Sequence, residues 1–73
     1  MAKLRPLPAR EVLALLAAHG FQQVRQRGSH IAMQRHDGHS TVTVIVPNHK
    51  EILIGTLASI IRQSRLPRAI FEP

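Results

Sequence analysis

The sequence contains no cysteine, tryptophan or tyrosine among its 73 residues. Without cysteine the chain has neither a disulfide framework nor a thiolate metal site, which fits a reducing compartment. No apolar run approaches the roughly 20 residues that a membrane-spanning helix needs. The basic N-terminal segment leads into an amphipathic run rather than the continuous apolar run of a secretion signal. We therefore expect one small soluble domain over residues 1–73, located in the cytoplasm and without membrane contact.

Acidic residues are scarce as well. Glu11, Asp37, Glu51 and Glu72 oppose ten lysines and arginines, which gives a formal net charge of +6. Four dispersed carboxylates cannot form the cluster that a two-metal nuclease needs. The excess of positive charge favours a polyanionic partner such as nucleic acid, although an acidic protein partner or simple solubility would also account for it.

Two helices and a short final turn are predicted from the spacing of apolar residues and from the positions of glycine and proline. The first covers residues 8–19, with a stripe of Val12, Leu13, Leu16 and Ala17. Gly20 stops it, and Phe21 is placed for the apolar contact that accompanies a glycine C-cap. A long second helix capped by residues 48–51 would carry Ile52, Leu53, Leu57, Ile60 and Ile61 on one stripe. Gly55 disfavours a helix interior, so we expect a turn through Ile54 and a helix from Gly55 or Thr56 to Ser64. Pro67 begins a short turn that returns Ile70 and Phe71 to the core.

Three strands are expected between the helices, at residues 21–26, 30–35 and 40–46. Asp37-Gly38 between alternating runs is a strong hairpin signal. If these two residues form the loop, Met33 lies opposite Val42, Ile31 opposite Val44 and His30 opposite Ile45. A two-residue Arg27-Gly28 loop in the first hairpin would place Val24 opposite Ile31 on the core face and Arg25 opposite His30 on the outer face.

This order predicts a two-layer α+β fold, helix-strand-strand-strand-helix, with a three-stranded antiparallel sheet and both helices on one sheet face. Strand side chains alternate between faces. The core face therefore takes Ile31, Met33, Val42, Val44 and Val46. The other face stays open and carries His30, Ala32, Gln34, Thr41 and Thr43, together with Arg25.

Histidines are the candidates for chemistry. His36, His39 and His49 could form a metal site, but no cysteine supports it and Asp37 occupies a position where the turn favours aspartate, so solvated loops explain them as well. RNA can be cut without metal, because its 2′-OH attacks the adjacent phosphate once a base removes the proton, and histidine titrates near the working pH. His30 is the candidate base, with a purely structural role as the alternative.

Cationic side chains could serve such a reaction or binding alone. Arg25, Arg27 and Lys50 are placed to stabilise charge on the phosphoryl oxygens. Both phenylalanines are expected in the core, so the aromatic stacking platform of single-strand binders is missing. A non-catalytic binding module would therefore rest on phosphate and 2′-OH contacts.

Four groups of residues occur together along nearly the whole chain. They are His19-Gly20-Phe21 at the end of the first helix, the segment 24–30 ending in Gly28-Ser29-His30, the segment 46–51 containing Pro47-Asn48-His49, and Gly55-Thr56-Leu57 leading to residues 60–63. In this combination the chain resembles the HicA toxins of bacterial type II toxin-antitoxin systems.

The resemblance implies a double-stranded-RNA-binding-domain-like fold and an endoribonuclease that cleaves mRNA, blocks translation and is neutralised by a HicB antitoxin. It also implies that the histidine of Gly-Ser-His, His30, is catalytic, and no cofactor or metal is expected. We expect RNA contacts from Arg25, Arg27, Gly28, Ser29, Lys50 and His49. For His49 a catalytic role and a role in the turn remain open.

Overall fold

The elements follow the predicted order in a computed structural model that describes residues 3–72. Helix α1 spans Ala9–Ala18 and helix α2 spans Ile54–Ser64. Strands β1 (Gln22–Arg27), β2 (His30–Asp37) and β3 (Ser40–Pro47) form one antiparallel sheet in the order β1-β2-β3. A 3₁₀ turn at Arg68–Phe71 follows α2. The predicted α+β class and three-stranded sheet are therefore confirmed.

Helix α1 ends in the way that its sequence predicts. The Phe21 amide donates to the Leu16 carbonyl at 3.0 Å, and the Gly20 amide donates to the Ala17 carbonyl at 3.2 Å. These two bonds form a Schellman motif, which needs a left-handed residue, and Gly20 has φ +91°. Phe21 is buried, and the Arg35 guanidinium lies 5.0 Å above its ring. The helix end is thus tied to β2.

Both hairpin loops begin one residue later than predicted. The loops are Gly28-Ser29 and Gly38-His39, because Arg27 pairs with His30 and Asp37 pairs with Ser40. Gly28 (φ +58°) and Gly38 (φ +64°) each take the first loop position, whereas the residue after each has negative φ. This is the type II′ pattern, in which glycine comes first. The predicted Arg27-Gly28 and Asp37-Gly38 loops are therefore wrong.

The corrected register moves the partners by two residues and leaves the faces unchanged between β2 and β3. Met33 pairs with Val44, Ile31 with Val46 and His30 with Pro47. The five side chains predicted for the core face are all buried: Ile31, Met33, Val42, Val44 and Val46. A shift of two residues preserves the side-chain alternation, which explains why this prediction survives the wrong loop.

Strand β1 departs further from the prediction because it contains an irregularity. The pairing shifts between Gln23 and Arg25, so that Val24 is an extra residue in a bulge. Val24 is 52% exposed instead of lying on the core face. Arg25 pairs with Ala32 rather than with His30. All six β1 residues are exposed, which shows that the helices do not cover this strand.

The core lies between the helices and the inner faces of β2 and β3. Val12 and Leu16 of α1 and Leu57 and Ile60 of α2 are buried in it, and Phe71 of the 3₁₀ turn is fully buried, as predicted. An isolated antiparallel β-bridge pairs Leu7, before α1, with Ile52, before α2, and both side chains are buried in the core.

Besides that of Val24, two predicted burial states are wrong, and the apolar stripe of a longer second helix does not include Leu53. Leu53 is 62% exposed, because it precedes the first residue of α2 rather than continuing the stripe of that helix. Ala17 is exposed on α1. Ala32 belongs to the open face but is buried, since its partners Arg25 and Ile45 carry much longer side chains on either side of it.

Candidate active site

His30 is the first residue of β2 and follows directly on the Gly28-Ser29 loop. It is exposed, as the strand parity predicts. Its cross-strand partners are Arg27 on β1 and Pro47 on β3. Directly opposed residues share a sheet face. His30 and Arg27 therefore lie side by side on the face that the helices leave open, and we call this surface the open face.

The open face changes in character from β1 to β3. The row next to His30 consists of Arg25, Ala32 and Ile45. Both arginines are on the β1 side, whereas the β3 side carries Ile45, which is 41% exposed, and Pro47. The candidate base thus has positive charge on one side and an apolar surface on the other.

A turn that follows β3 packs against the loop that precedes His30. The Asn48 amide donates to the Ser29 carbonyl at 2.6 Å, and the His49 amide donates to the Pro47 carbonyl at 2.9 Å. On the other side of the loop, Gln26 Nε2 donates to the Gly28 carbonyl at 3.1 Å. These bonds hold Gly28 and Ser29 beside residues 48–50, which we call the Asn48 turn. The structure thereby brings the two predicted RNA-contacting segments together.

The positive side chains of this region have no acidic partners. The one ion pair within residues 3–72 joins Arg68 to Glu72, at 2.7 Å. Arg25, Arg27 and Lys50 are exposed and make no ion pair in the part of the chain that the structure describes. Their charges are therefore available to an external anion.

The imidazole of His30 makes no hydrogen bond to any described residue. His19 differs, because its Nδ1 lies 2.8 Å from the Leu15 carbonyl. A neutral imidazole with a free ring nitrogen can accept a proton from a bound hydroxyl group. The arrangement therefore offers a proton acceptor with cations at its side.

The candidate metal ligands do not come together. Within residues 3–72 no group of three histidine, cysteine or carboxylate side chains is placed to hold a metal ion. His36 lies in β2, His39 lies in the second hairpin loop, and His49 lies in the Asn48 turn. Solvated positions account for the first two.

Two residues near the site were not singled out from the sequence. Ile45 interrupts the polar positions that Thr41 and Thr43 begin on the open face of β3, and that break in the alternation is a signal in the sequence. Arg10 lines a pocket together with His49 and Lys50. No sequence signal places Arg10 there, because the contact joins the start of α1 to a turn about 40 residues away.

Comparison with known proteins identifies a family. The family model described as HicA toxin of bacterial toxin-antitoxin matches residues 9–66 of the chain. No curated protein and no solved structure matches. The matched range includes His30, the Asn48 turn and all of the residues from β1 to α2. Within residues 3–72 there is also no helix with the length and apolar character to cross a membrane.

Proposed function

The chain belongs to the HicA family of toxins from bacterial toxin-antitoxin systems, and from this we propose that it is a metal-independent endoribonuclease that cleaves mRNA and so inhibits translation. Residues 1–73 form one toxin domain in this proposal, acting in the cytoplasm. The proposal rests on one observation. His30 is exposed, makes no hydrogen bond to a described residue and lies beside Arg27 on the open face.

His30 acts as the general base in the proposed reaction. It takes the proton from a ribose 2′-OH, and the 2′-oxygen attacks the adjacent phosphorus as the bond from phosphorus to the 5′-oxygen breaks. The 5′-oxygen leaves as a hydroxyl group after it receives a proton. The products are a 2′,3′-cyclic phosphate and a 5′-hydroxyl end.

Arginine and lysine side chains stabilise the charge that develops during this step. Arg27 is directly opposite His30, and Arg25 follows in the next row of the same face. Lys50 belongs to the Asn48 turn, which a hydrogen bond to the Ser29 carbonyl joins to the loop in front of His30. Fixed cations near the phosphoryl oxygens favour the transition state over the ground state because the negative charge grows there. Gly28, Ser29 and His49 complete the proposed RNA-contacting surface.

The proposed antitoxin is a HicB-like protein that covers His30. A formal charge of +6 on a chain of this size favours rapid association with an acidic surface. Covering a preformed site is the most direct way to silence it. The same surface would then bind RNA and antitoxin in competition.

The test is an analysis of the RNA ends left by the purified protein. Cleavage should continue in excess EDTA and should leave 2′,3′-cyclic phosphate and 5′-hydroxyl ends. Ends with 5′-phosphates would show attack by water and would rule out the mechanism. RNA binding without any cleavage, in a protein that arrests no growth when expressed, would instead identify a non-catalytic binding module.

A further inference from the structure

A pocket of about 200 Å³ lies between the start of α1 and the Asn48 turn. Its lining residues are Pro8, Ala9, Arg10, Asn48, His49 and Lys50. Three of them carry basic side chains and none is acidic. The pocket is a concave surface in which cations from two distant parts of the chain meet, as expected of a site for an anion.

Two backbone hydrogen bonds connect this pocket to the loop in front of His30. The Ala9 amide donates to the His49 carbonyl at 3.1 Å, which fixes the start of α1 against the turn. The Asn48 amide donates to the Ser29 carbonyl at 2.6 Å, which fixes the turn against the loop. The loop in front of His30 is therefore joined to the Asn48 turn, and the turn is joined to the start of α1, where Arg10 lies.

Arg10 occupies a position that does not favour the helix itself. It is the second residue of α1, where the positive end of the helix dipole disfavours a cation. It is exposed, and it makes no ion pair with the described residues that would compensate. Helix stability does not explain an arginine here, whereas binding of an external anion does.

We propose that this pocket binds a phosphate group of the RNA strand, with Arg10 and Lys50 as its ligands. The strand then runs from His30 over the Ser29–Asn48 contact to the start of α1. The planar guanidinium can form two parallel hydrogen bonds to one phosphate, which lysine cannot. The inference rests on the proposed function, since it adds a second phosphate site to the same RNA path.

The test measures RNA binding as a function of salt. A His30→Ala background prevents cleavage, and the probe is a fluorescein-labelled oligouridine, because phosphate contacts do not depend on sequence. Arg10→Gln should weaken binding several-fold and should reduce the slope of log K against log salt by about 0.7, the value for one phosphate contact on a single strand. Arg62→Gln, in the last turn of α2, is the matched control and should leave the slope unchanged.

Arg10→Glu separates a binding role from a structural one. An acidic residue in the first turn of α1 stabilises the helix, so this variant should melt no lower than the parent while it binds RNA more weakly than Arg10→Gln. Equal slopes and affinities for the Arg10→Gln and Arg62→Gln proteins would overturn the second phosphate site.

The outcomes also separate this inference from the proposed function. Absence of cleavage by the wild-type protein, together with a normal Arg10 effect on binding, would reject the nuclease and retain the phosphate site. Normal cleavage by the wild-type protein, with no effect of the Arg10 substitutions on binding, would retain the nuclease and reject the phosphate site. Failure of every variant, and of the parent, to bind the probe would reject the phosphate site, and the same failure together with absence of cleavage by the wild-type protein would reject both.

Discussion

Replacing His30 with alanine should remove RNA cleavage while leaving the fold intact. His30 is exposed and makes no hydrogen bond to a described residue, so the substitution removes neither a core contact nor a buried polar pair. Surface changes of this kind usually alter stability by no more than about 0.5 kcal/mol. Loss of a general base lowers the rate by about 10²–10⁴-fold. That loss corresponds to about 3–5 kcal/mol of transition-state stabilisation.

The assay compares single-turnover cleavage rates with the protein in excess over a labelled transcript. His39→Ala is the matched control, because His39 is also exposed and lies in the second hairpin loop, outside the proposed site. It should cleave at the wild-type rate. Thermal melting of both variants should give midpoints close to that of the wild type, and RNA binding by the His30→Ala protein should change little, since arginine and lysine supply the phosphate contacts.

Two results would contradict the assignment of His30 as the general base. A folded His30→Ala protein that cuts RNA at the wild-type rate cannot be reconciled with His30 as the base. An equal loss of cleavage in the His39→Ala protein would also count against it, because the effect would then not depend on position.

Three further predictions concern stability and the antitoxin. Gly20→Ala should cost about 1–2 kcal/mol, because a side chain at φ +91° is strained and its Cβ would lie 3.3 Å from Arg35 Cδ; urea denaturation measures the loss. Arg65→Gly should raise stability by about 0.5–1 kcal/mol, since Arg65 ends α2 with φ 62°, a conformation that glycine adopts without strain; an unchanged urea midpoint would contradict this. In complex with its antitoxin, His30 should become unreactive toward diethyl pyrocarbonate, and association should slow as salt increases; a reactive His30 in the intact complex would exclude masking.

The end of α1 and the faces of β2 and β3 could be predicted from sequence because they depend on neighbouring residues. Gly20 and Phe21 form their contacts within one turn of the helix that they terminate. Likewise, alternation within β2 is enough to place Ile31 and Met33 on one face and His30 on the other. Local sequence is therefore enough to place the candidate base on the open face.

The loop positions and the β1 pairing were predicted incorrectly because the same sequence permits more than one backbone conformation at these places. Asp-Gly and Arg-Gly can each supply a two-residue loop, but positive φ at the first loop position selects Gly38 and Gly28. The bulge at Val24 then changes the partner of Arg25. Hydrophobic alternation cannot select the loop, because it remains the same after a shift of two residues, and it does not reveal an extra residue in β1.

The other residues of the site come together with His30 only in the folded protein. The segments 28–30 and 47–51 that resemble the family are visible in the sequence, but their contact depends on the hydrogen bond from the Asn48 amide to the Ser29 carbonyl. Arg10 joins them because α1 begins against His49. These contacts connect residues that are about 20 and 40 positions apart, and such distances are bridged only when the sheet and both helices pack on one core.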